Sequence, residues 1–409
     1  MGQEAGGKGQ EGRGTGGTKG TMGQWFGGRP AWAEIDLEAI AANVAALQRH
    51  LSGPAQLMAV VKANAYGHGA EMVARTALES GATWLGVNTV DEGVQLRRAG
   101  LTAPILVLGH CPPQEAEKVV ANHLTPTVTT LETALALAGA SVERGLVTPV
   151  HLKVDTGMGR YGLLPEEVVA FARRVAALSS LRLEGLWTHF ATADEADKTF
   201  AWQQFRVYQA VVQRLADEGL TIPLRHVANS AATIDLPETH LDLVRCGLSI
   251  YGLYPSRQTS RTVPLRPALA LKAHLARVRT LPAGSSVGYG RTWVASQPGM
   301  IALVPLGYAD GYRRALSNHG VALVHGQRVP VIGRVSMDQL TVDVSGVPDV
   351  RPDDEVVLMG RQGEAEITAD EVADTLGTIN YEVTTAIAAR VPRVYWRGGE
   401  VVRVQTLLE

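Results

Sequence analysis

The chain has few cysteines, few aromatic residues and almost no net charge. Its only cysteines, Cys111 and Cys246, form no CxxC or metal-ligand spacing and suit a reducing, cytoplasmic environment. The formal net charge of -2 gives no reason to expect nucleic acid or an anionic membrane as a partner. No apolar run is long enough to cross a bilayer. Over 409 residues, this composition predicts a globular protein of two or three domains.

The first 28 residues differ from the rest in composition. They contain twelve glycines and almost no large apolar groups before Trp25. Because they lack the continuous apolar core of a signal peptide, we predict a disordered tail over residues 1–28, outside the fold. The sequence leaves Met1 and Met22 as alternative starts.

Short β-rich runs alternate with helix-like stretches between residues 57 and 250. The runs are 57–62, 84–89, 104–109, 125–128, 151–155, 183–189, 224–229 and 242–250. A further helix opens at Asp36 and repeats apolar residues on one face. Eight strands alternating with helices predict an α/β fold, a (β/α)8 barrel over residues 31–261. A doubly wound parallel sheet is the alternative.

Polar residues at the carboxyl ends of several strands favour the barrel, because active sites of that fold gather there. Lys62 ends the first run, Lys153 lies in the fifth, and His189 ends the sixth. Asn229 and Ser230 end the seventh, and Arg245, Cys246 and Gly247 lie on or after the eighth. Since barrels bind phosphate after strands seven and eight, we expect Ser230 and the Gly247–Leu248 backbone to donate to a phosphate.

Lys62 follows the apolar run Leu57–Val61 and precedes the loop 63–69, which contains glycine and tyrosine. Burial would lower the pKa of the amine, and an unprotonated amine can form a Schiff base. The alternative is a solvated lysine that caps a strand.

After residue 262 the pattern changes to alternating strands separated by turns, which predicts a mainly β domain over residues 262–409. The expected strands are Ala270–Val278, Met300–Pro305, Val321–Val324, Val329–Ile332, Leu340–Val344, Glu355–Met359 and Val401–Thr406. A short helix is expected over Asp370–Leu376.

Nine motifs in one order resemble the alanine racemase family, whose members are fold-type III pyridoxal-phosphate enzymes. They are VVKANAYGHG, HLKVDTGMGR, WTHFATAD, HVANSAA, RCGLSIYGLYP, GYGRT, PLGYADGY, GRVSMDQ and INYEV, and the match runs from about residue 31 to the C-terminus. The resemblance implies a barrel followed by a β domain, with the strand near Trp32–Ile35 joining the β domain. It also implies a homodimer in which each barrel mouth faces the partner's β domain. The implied product is D-alanine for peptidoglycan.

The resemblance also implies roles for individual residues around pyridoxal 5'-phosphate. Lys62 would form the internal aldimine, and Arg245, with His189 beside it, would face the pyridine nitrogen. The cofactor-binding set would comprise Lys62, Tyr66, Arg160, His189, Asn229, Ser230, Arg245, Gly247, Leu248 and Tyr381. Without the family, Ser230 could simply cap a helix, Tyr66 and Tyr381 could be packed aromatics, and His189 could be a satisfied barrel histidine.

Racemisation requires proton exchange on both faces of Cα, hence two bases. The resemblance assigns these to Lys62 and to Tyr289 from the partner subunit. Because an unperturbed phenol is a poor base at neutral pH, we expect cationic charge from Arg245 and His189 to lower the pKa of Tyr289. The alternative is that Tyr289 is an aromatic residue in a turn.

Further family positions concern the substrate. Arg160 and the Met337 N–H would hold the substrate carboxylate, and Lys153 matches a lysine that is carbamylated in many members. The alternative for Lys153 is a surface pair with Asp155. The remaining implied residues line the substrate corridor: Tyr308 and Asp338, with Arg314 and Arg334 further out. Tyr161 replaces the small aliphatic residue usual after Arg160, a difference that we expect to leave the chemistry unchanged.

Three other functions stay open beside alanine racemisation. One is a racemase for serine or for a broader set of amino acids. A basic amino-acid decarboxylase of the same architecture is disfavoured, because those enzymes place a carboxylate where this chain has Arg245. A non-catalytic pyridoxal-phosphate carrier is disfavoured by the β domain.

Overall fold

The computed structural model describes residues 29–408, so the tail predicted over residues 1–28 lies outside the described residues. The described chain begins with strand β1 (Ala31–Asp36) and helix α1 (Leu37–His50). Asp36 caps α1 as expected, since its Oδ1 accepts a hydrogen bond from the Ala39 N–H at 2.9 Å.

Eight parallel strands follow and form the first sheet. They are β2 (Gln56–Val60), β3 (Trp84–Val87), β4 (Ile105–Val107), β5 (Thr125–Val128), β6 (Thr148–Lys153), β7 (Leu181–Trp187), β8 (Leu224–His226) and β9 (Leu243–Cys246). Neighbours in the sheet are neighbours in sequence, and β9 pairs with β2. The N–H of Arg245 in β9 donates to the carbonyl of Ala228, two residues after β8, at 3.0 Å, and this hydrogen bond connects β8 with β9. The predicted barrel is confirmed, and the doubly wound alternative is wrong.

Helices between the strands cover the outside of the barrel. They are α3 (Ala70–Glu79), α4 (Val90–Arg98), α5 (Ala116–Ala121), α6 (Leu131–Glu143), α7 (Val168–Ala176), α8 (Thr199–Asp217) and α9 (Ser230–Asp235), whereas α2 (Lys62–Tyr66) is a short left-handed turn directly after β2. Short 3₁₀ helices lie at Pro113–Glu115, Pro237–Thr239 and Leu248–Tyr251. Within residues 29–408, no helix combines the length and apolarity needed to cross a membrane.

The rest of the chain is mainly β, as predicted. Its strands are β10 (Leu269–His274), β11 (Arg277–Leu281), β12 (Ser286–Val287), β13 (Trp293–Val294), β14 (Gly299–Val304), β15 (Val321–Val324), β16 (Gln327–Ile332), β17 (Leu340–Asp343), β18 (Glu355–Gln362), β19 (Ala365–Ile367), β20 (Arg393–Arg397) and β21 (Glu400–Gln405). Helices α10 (Ala369–Leu376) and α11 (Asn380–Thr385) and three 3₁₀ helices, Tyr289–Arg291, Tyr308–Asp310 and Arg314–Leu316, complete it.

A second sheet contains β10, β11 and β14–β21, while β12 and β13 pair separately. Strand β1 also belongs to this second sheet, although the barrel follows β1 in sequence. It pairs antiparallel with β10 and parallel with β20. The single strand predicted over Ala270–Val278 is wrong. The Leu275 N–H donates to the Asp354 carbonyl, whereas the Ala276 N–H donates to the Leu303 carbonyl. The chain therefore divides into β10 and β11, which pair with different strands.

Candidate functional site

The prediction that Lys62 ends the first barrel strand is wrong. Lys62 instead opens a left-handed turn that follows this strand. Strand β2 stops at Val60, and residues 63–66 all have φ between 52° and 54°. For residues other than glycine this conformation costs about 1–2 kcal/mol each. Glu92 holds the turn, because its Oε1 accepts from the Ala63 N–H at 2.7 Å while its Oε2 accepts from the N–H groups of Asn88 and Thr89. Lys62 thus directly precedes a strained turn that the surrounding structure enforces.

The environment of Lys62 favours the neutral amine. Burial lowers its pKa, and the positive charge of Arg160 lowers it further, while Glu92 opposes the shift. A neutral amine can act as a nucleophile or a base, whereas an ammonium cannot.

Helix α11 of the second part of the chain packs directly on this turn. A Cβ at Gly67 would lie 2.1 Å from the Thr384 carbonyl oxygen, so only glycine permits this approach. The Arg393 Nε–H donates to the Gly67 carbonyl at 3.1 Å. As a result, the ring centroids of Tyr66 and Tyr381 lie 6.2 Å apart.

Hydroxyl and amide groups meet beside these tyrosines. The Ser230 hydroxyl accepts from the Gly247 N–H at 3.0 Å, and a Cβ at Gly247 would lie 2.6 Å from the Tyr66 hydroxyl. Leu248 opens the 3₁₀ helix that follows Gly247. The cap of α9 is Asn229, whose Oδ1 accepts from the Ala232 N–H, so Ser230 is not merely a helix cap. The structure therefore brings together the five residues expected around a phosphate: Tyr66, Ser230, Gly247, Leu248 and Tyr381.

Arg245 is buried at the barrel centre, with only 4% of its surface exposed. Its Nη atoms donate to the carbonyl oxygens of Thr188, His226 and Val227. Within residues 29–408 it forms no ion pair, and its Nε–H makes no hydrogen bond. Burial lowers the pKa of Arg245 to about 9, so the guanidinium stays charged at neutral pH.

His189 lies next to Arg245, with its Nδ1 3.4 Å from the guanidinium. Burial, followed by the charge of Arg245, holds the pKa of His189 well below its ordinary value. The imidazole is therefore neutral. The expectation that His189 contributes cationic charge is wrong, and Arg245 alone carries the charge of this pair.

Lys153 is 2% exposed, so the alternative of a surface pair with Asp155 is wrong. The Asp155 carboxylate instead accepts from the N–H groups of Gly157 and Gly159, which shapes the loop that carries Arg160. Burial, with the charges of Arg160 and Arg245, lowers the pKa of Lys153 to about 8. Its Nζ lies 4.7 Å from the Trp187 ring centre.

Tyr161 is closer to the chemistry than the sequence suggested. Its ring centre lies 5.1 Å from Lys153 Nζ, so the residue that departs from the family pattern contacts the lysine expected to be carbamylated. An aromatic face stabilises an ammonium over a neutral amine. The expectation that this substitution has no chemical consequence therefore needs correction.

The remaining predicted residues form a second cluster, on the loops of the β part. Gly288 and Gly290, which flank Tyr289, pack against Arg334. The Tyr308 N–H donates to the Ser336 carbonyl, next to Met337. The exposed fractions are 71% for Tyr289, 53% for Met337 and 38% for Tyr308.

This second cluster is separate from the barrel cluster in a single chain. Asp338 is held by Arg390 at 2.6 Å, and Arg390 also binds the buried Asp310. Across residues 29–408, no hydrogen bond, ion pair or ring contact joins Tyr289 or Met337 to a barrel residue. Arg314 lies in the 3₁₀ helix that follows Tyr308.

The barrel cluster has the chemistry that an anionic, aromatic cofactor requires. Arg245, Lys153 and Arg160 each add positive charge around the neutral His189. Hydroxyl and amide donors gather at one side, and among the residues that the structure describes the hydrogen bonds of Arg245 use its Nη atoms and leave the Nε–H available. These groups suit a phosphate, a phenolic oxygen and a ring nitrogen that accepts a hydrogen bond.

The sequence matches two family models in series. Residues 35–255 match the alanine racemase N-terminal domain, and residues 268–395 match the alanine racemase C-terminal domain. The chain belongs to the alanine racemase family. The predicted enzyme class is thereby confirmed, since a racemase is an isomerase.

Similar proteins agree with this assignment along most of their length. An alanine racemase of Desulfosudis oleivorans is 52% identical, over 90% of this chain and 97% of that protein. The solved alanine racemase of Clostridium difficile 630 has a TM-score of 0.90 and 38% identity, covering 93% of this chain and all of its own. The alanine racemase of Bartonella henselae, solved with covalently bound pyridoxal phosphate, has a TM-score of 0.81 at 28% identity, covering 90% of this chain and all of its own.

Sequence reasoning missed several residues that shape the site. Glu92, which holds the Lys62 turn, could have been found from its capping box with Thr89 at the start of α4. His226 lies inside a quoted motif but carried no assigned role, and it contacts Arg245 at 3.1 Å. His151 likewise opens the motif HLKVDTGMGR without an assigned role, and Glu184 gave no signal because its neighbour His151 comes from another strand.

Proposed function

We propose that this chain interconverts L-alanine and D-alanine with pyridoxal 5'-phosphate, using Lys62 and the partner subunit's copy of Tyr289 as its two bases. The observation that carries the proposal is the meeting of Lys62, an amine of lowered pKa, with the buried Arg245 and the Ser230–Gly247 donor group at one barrel mouth. The motifs predict the same meeting.

The phosphate would be held without a dedicated lysine. The hydroxyls of Ser230, Tyr66 and Tyr381 and the backbone N–H groups at Gly247 and Leu248 supply neutral donors, with Asn229 fixing the turn between β8 and α9. Neutral donors hold an anion while leaving the local positive charge to Arg160, Lys153 and Arg245.

Arg245 would donate its remaining N–H to the pyridine nitrogen. A guanidinium donates but does not give up its proton at neutral pH, so this nitrogen would stay unprotonated. When bound, the cofactor would withdraw electrons from the substrate Cα, less strongly than with a protonated ring. This arrangement favours proton return to Cα over side reactions.

Lys62 would remove or return a proton on one face of Cα. Because burial and the charge of Arg160 lower its pKa, more of the amine is unprotonated than in a solvated lysine. Arg160 and the N–H of the partner subunit's Met337 would hold the substrate carboxylate, and the partner's Tyr308 and the partner's Asp338 would narrow the approach.

Tyr289 would serve the opposite face from the partner subunit. The supporting observation is its 71% exposure on a loop cluster that also exposes Met337 and Tyr308. Exposed aromatic and methionine side chains grouped in this way are typical of an interface. A homodimer would cover them and complete each site, and the D-alanine formed would serve peptidoglycan.

One experiment tests the function directly. The purified protein, reconstituted with pyridoxal 5'-phosphate, is incubated with L-alanine, L-serine and L-lysine while optical rotation is followed. We expect loss of rotation with L-alanine and much slower change with the other two. Faster loss with L-serine would assign the chain to the serine or broader-specificity alternative, and no change with any of the three would contradict racemase activity.

A further inference from the structure

Behind Arg245, inside the barrel, four side chains form a line that ends at a carboxylate. The Arg245 Nη1 lies 3.1 Å from His226 Nδ1, and His226 Nε2 lies 2.9 Å from His151 Nδ1. His151 Nε2 lies 3.5 Å from Oε2 of Glu184. Within residues 29–408, neither of these two buried atoms has a hydrogen-bond partner, so their 3.5 Å separation is an ion-pair contact that leaves each atom facing the other.

The proton positions in this line follow from chemistry. A guanidinium only donates, so His226 Nδ1 must accept. A neutral imidazole carries one proton, which places it on His226 Nε2, where it is donated to His151 Nδ1. The same argument puts the His151 proton on Nε2, facing Glu184. Burial holds the pKa values of both histidines below their ordinary value, consistent with neutral rings.

Two residues of strand β7 pack closely against the imidazoles of this line. A Cβ at Gly185 of β7 would lie 2.4 Å from His151 Nδ1, so the ring lies directly on glycine backbone. The Trp187 ring stacks on His226 with centroids 5.9 Å apart and an interplanar angle of 11°. Gly185 and Trp187 therefore limit the movement of both imidazoles.

We propose that Glu184 and His151 are positioning residues that fix the proton on His226 and thereby orient Arg245 toward the cofactor ring. The inference rests on the proposed function, because it takes Arg245 as the donor to the pyridine nitrogen. The Glu184 carboxylate selects the Nε2–H form of His151, and His151 in turn selects the Nε2–H form of His226. Without the carboxylate, His226 can place its proton on Nδ1, where it faces an N–H of the guanidinium and pushes Arg245 away.

The first test reads the histidines without cofactor. ¹⁵N-histidine-labelled protein is studied by solid-state NMR, with resonances assigned through His151→Gln and His226→Gln. We expect both rings to be neutral with the proton on Nε2. Glu184→Leu should shift part of the population to Nδ1–H, and Glu184→Gln, whose amide oxygen still accepts, should stay close to the native spectrum.

The matched control is His240→Gln. His240 is a buried histidine bonded to Ser52 and the Thr233 carbonyl, away from this line. Its replacement should leave the two imidazole signals unchanged. A cationic ring or an Nδ1–H form in the native protein would overturn the proposal, as would an unchanged spectrum in Glu184→Leu.

The second test uses the holoenzyme with pyridine-¹⁵N-labelled cofactor. Glu184→Leu should shift the pyridine nitrogen resonance and lower kcat for alanine by about 10- to 100-fold with little change in KM, since a small misplacement of a catalytic group has effects of that size. Gly185→Ala, which displaces His151 from the other side, should act in the same direction if Glu184→Leu fails to fold. Unchanged resonance and kcat in the folded variants would overturn the positioning role. If the native enzyme does not racemise alanine, the proposed function fails while the imidazole spectra still decide the proton positions.

Discussion

The barrel half and the second-domain half of the candidate site differ most in how far a single chain completes them. Lys153, Arg245 and Ser230 are 2%, 4% and 5% exposed, whereas Tyr289 and Met337 are 71% and 53% exposed. The barrel groups have partners from several strands, so their positions are set by the fold. The difference indicates that the barrel half is preorganised within the chain, and it supports our proposal that a partner subunit covers the other half.

The local structure explains the contrast. Arg245 is held by three main-chain carbonyls, and the Lys62 turn by Glu92 and α11. Tyr289 follows strand β12, which forms only a two-residue pair with β13, and two glycines flank it. Substitutions in the barrel half should therefore affect both structure and chemistry, while those around Tyr289 should affect chemistry alone.

The largest effect is expected for Lys62→Ala. It removes the amine that would bond the cofactor and serve as one base, so racemisation should fall by at least about 10,000-fold, the upper range for losing a general base. Borohydride reduction followed by peptide mass spectrometry should find no adduct at this turn. Lys118→Ala, at a partly exposed position of α5, is the control and should keep both activity and adduct. An unchanged adduct in Lys62→Ala would contradict the assignment.

Tyr289→Phe comes next, because it deletes only an ionisable oxygen on an exposed loop. Net racemisation should fall by about 100- to 10,000-fold, while thermal unfolding stays unchanged. In deuterium oxide, D-alanine should still exchange its α-proton with retention, since the Lys62 face remains competent. Proton NMR with chiral chromatography measures both. Native rates from both enantiomers would exclude Tyr289 as a base.

A smaller effect is expected at Lys153. Its lowered pKa of about 8 means that the neutral amine, which alone reacts with carbon dioxide, becomes abundant as pH rises through that value and scarce as pH falls below it. In ¹³C-bicarbonate, a carbamate NMR signal should grow as the pH rises through the Lys153 pKa of about 8. The signal should be absent in Lys153→Met. Tyr161→Leu removes a ring that favours the ammonium and should strengthen the signal at pH 7. A signal independent of pH, or one that persists in Lys153→Met, would contradict this.

The smallest effect is expected at Asp36, where β1 of the second sheet meets α1 of the barrel. Asp36→Ala removes the cap of α1 and should lower the free energy of unfolding by about 1 kcal/mol, with kcat unchanged. Urea denaturation measures this, with the exposed Glu38→Ala as the control. A large loss of activity would mean that this junction also shapes the site.

The local part of the fold was predictable from the sequence. The barrel strands, the Asp36 cap and the α10 helix follow from periodicity and capping residues, which act within a few residues. The split of 270–278 into β10 and β11 was not predictable, because it depends on Asp354 and Leu303, far away in the chain. The same applies to the parallel pairing of β1 with β20.

The candidate site divides in the same way. Lys62, Ser230 and Arg245 were predictable because motifs carry them at strand ends. The left-handed turn after Val60 was not, since four consecutive residues other than glycine with positive φ contradict their own preferences. The His226–His151–Glu184 line was also missed, because strand register, rather than sequence spacing, brings its members together.

We propose that each site combines the barrel of one chain with the Tyr289 cluster of another. The most direct measurement mixes inactive Lys62→Ala with inactive Tyr289→Ala under conditions that exchange subunits, as verified by mass spectrometry of differently tagged chains. Each hybrid dimer would contain one native site, so a statistical mixture should recover about a quarter of the native racemase activity. No recovery despite demonstrated exchange would contradict the account and put both bases in one chain.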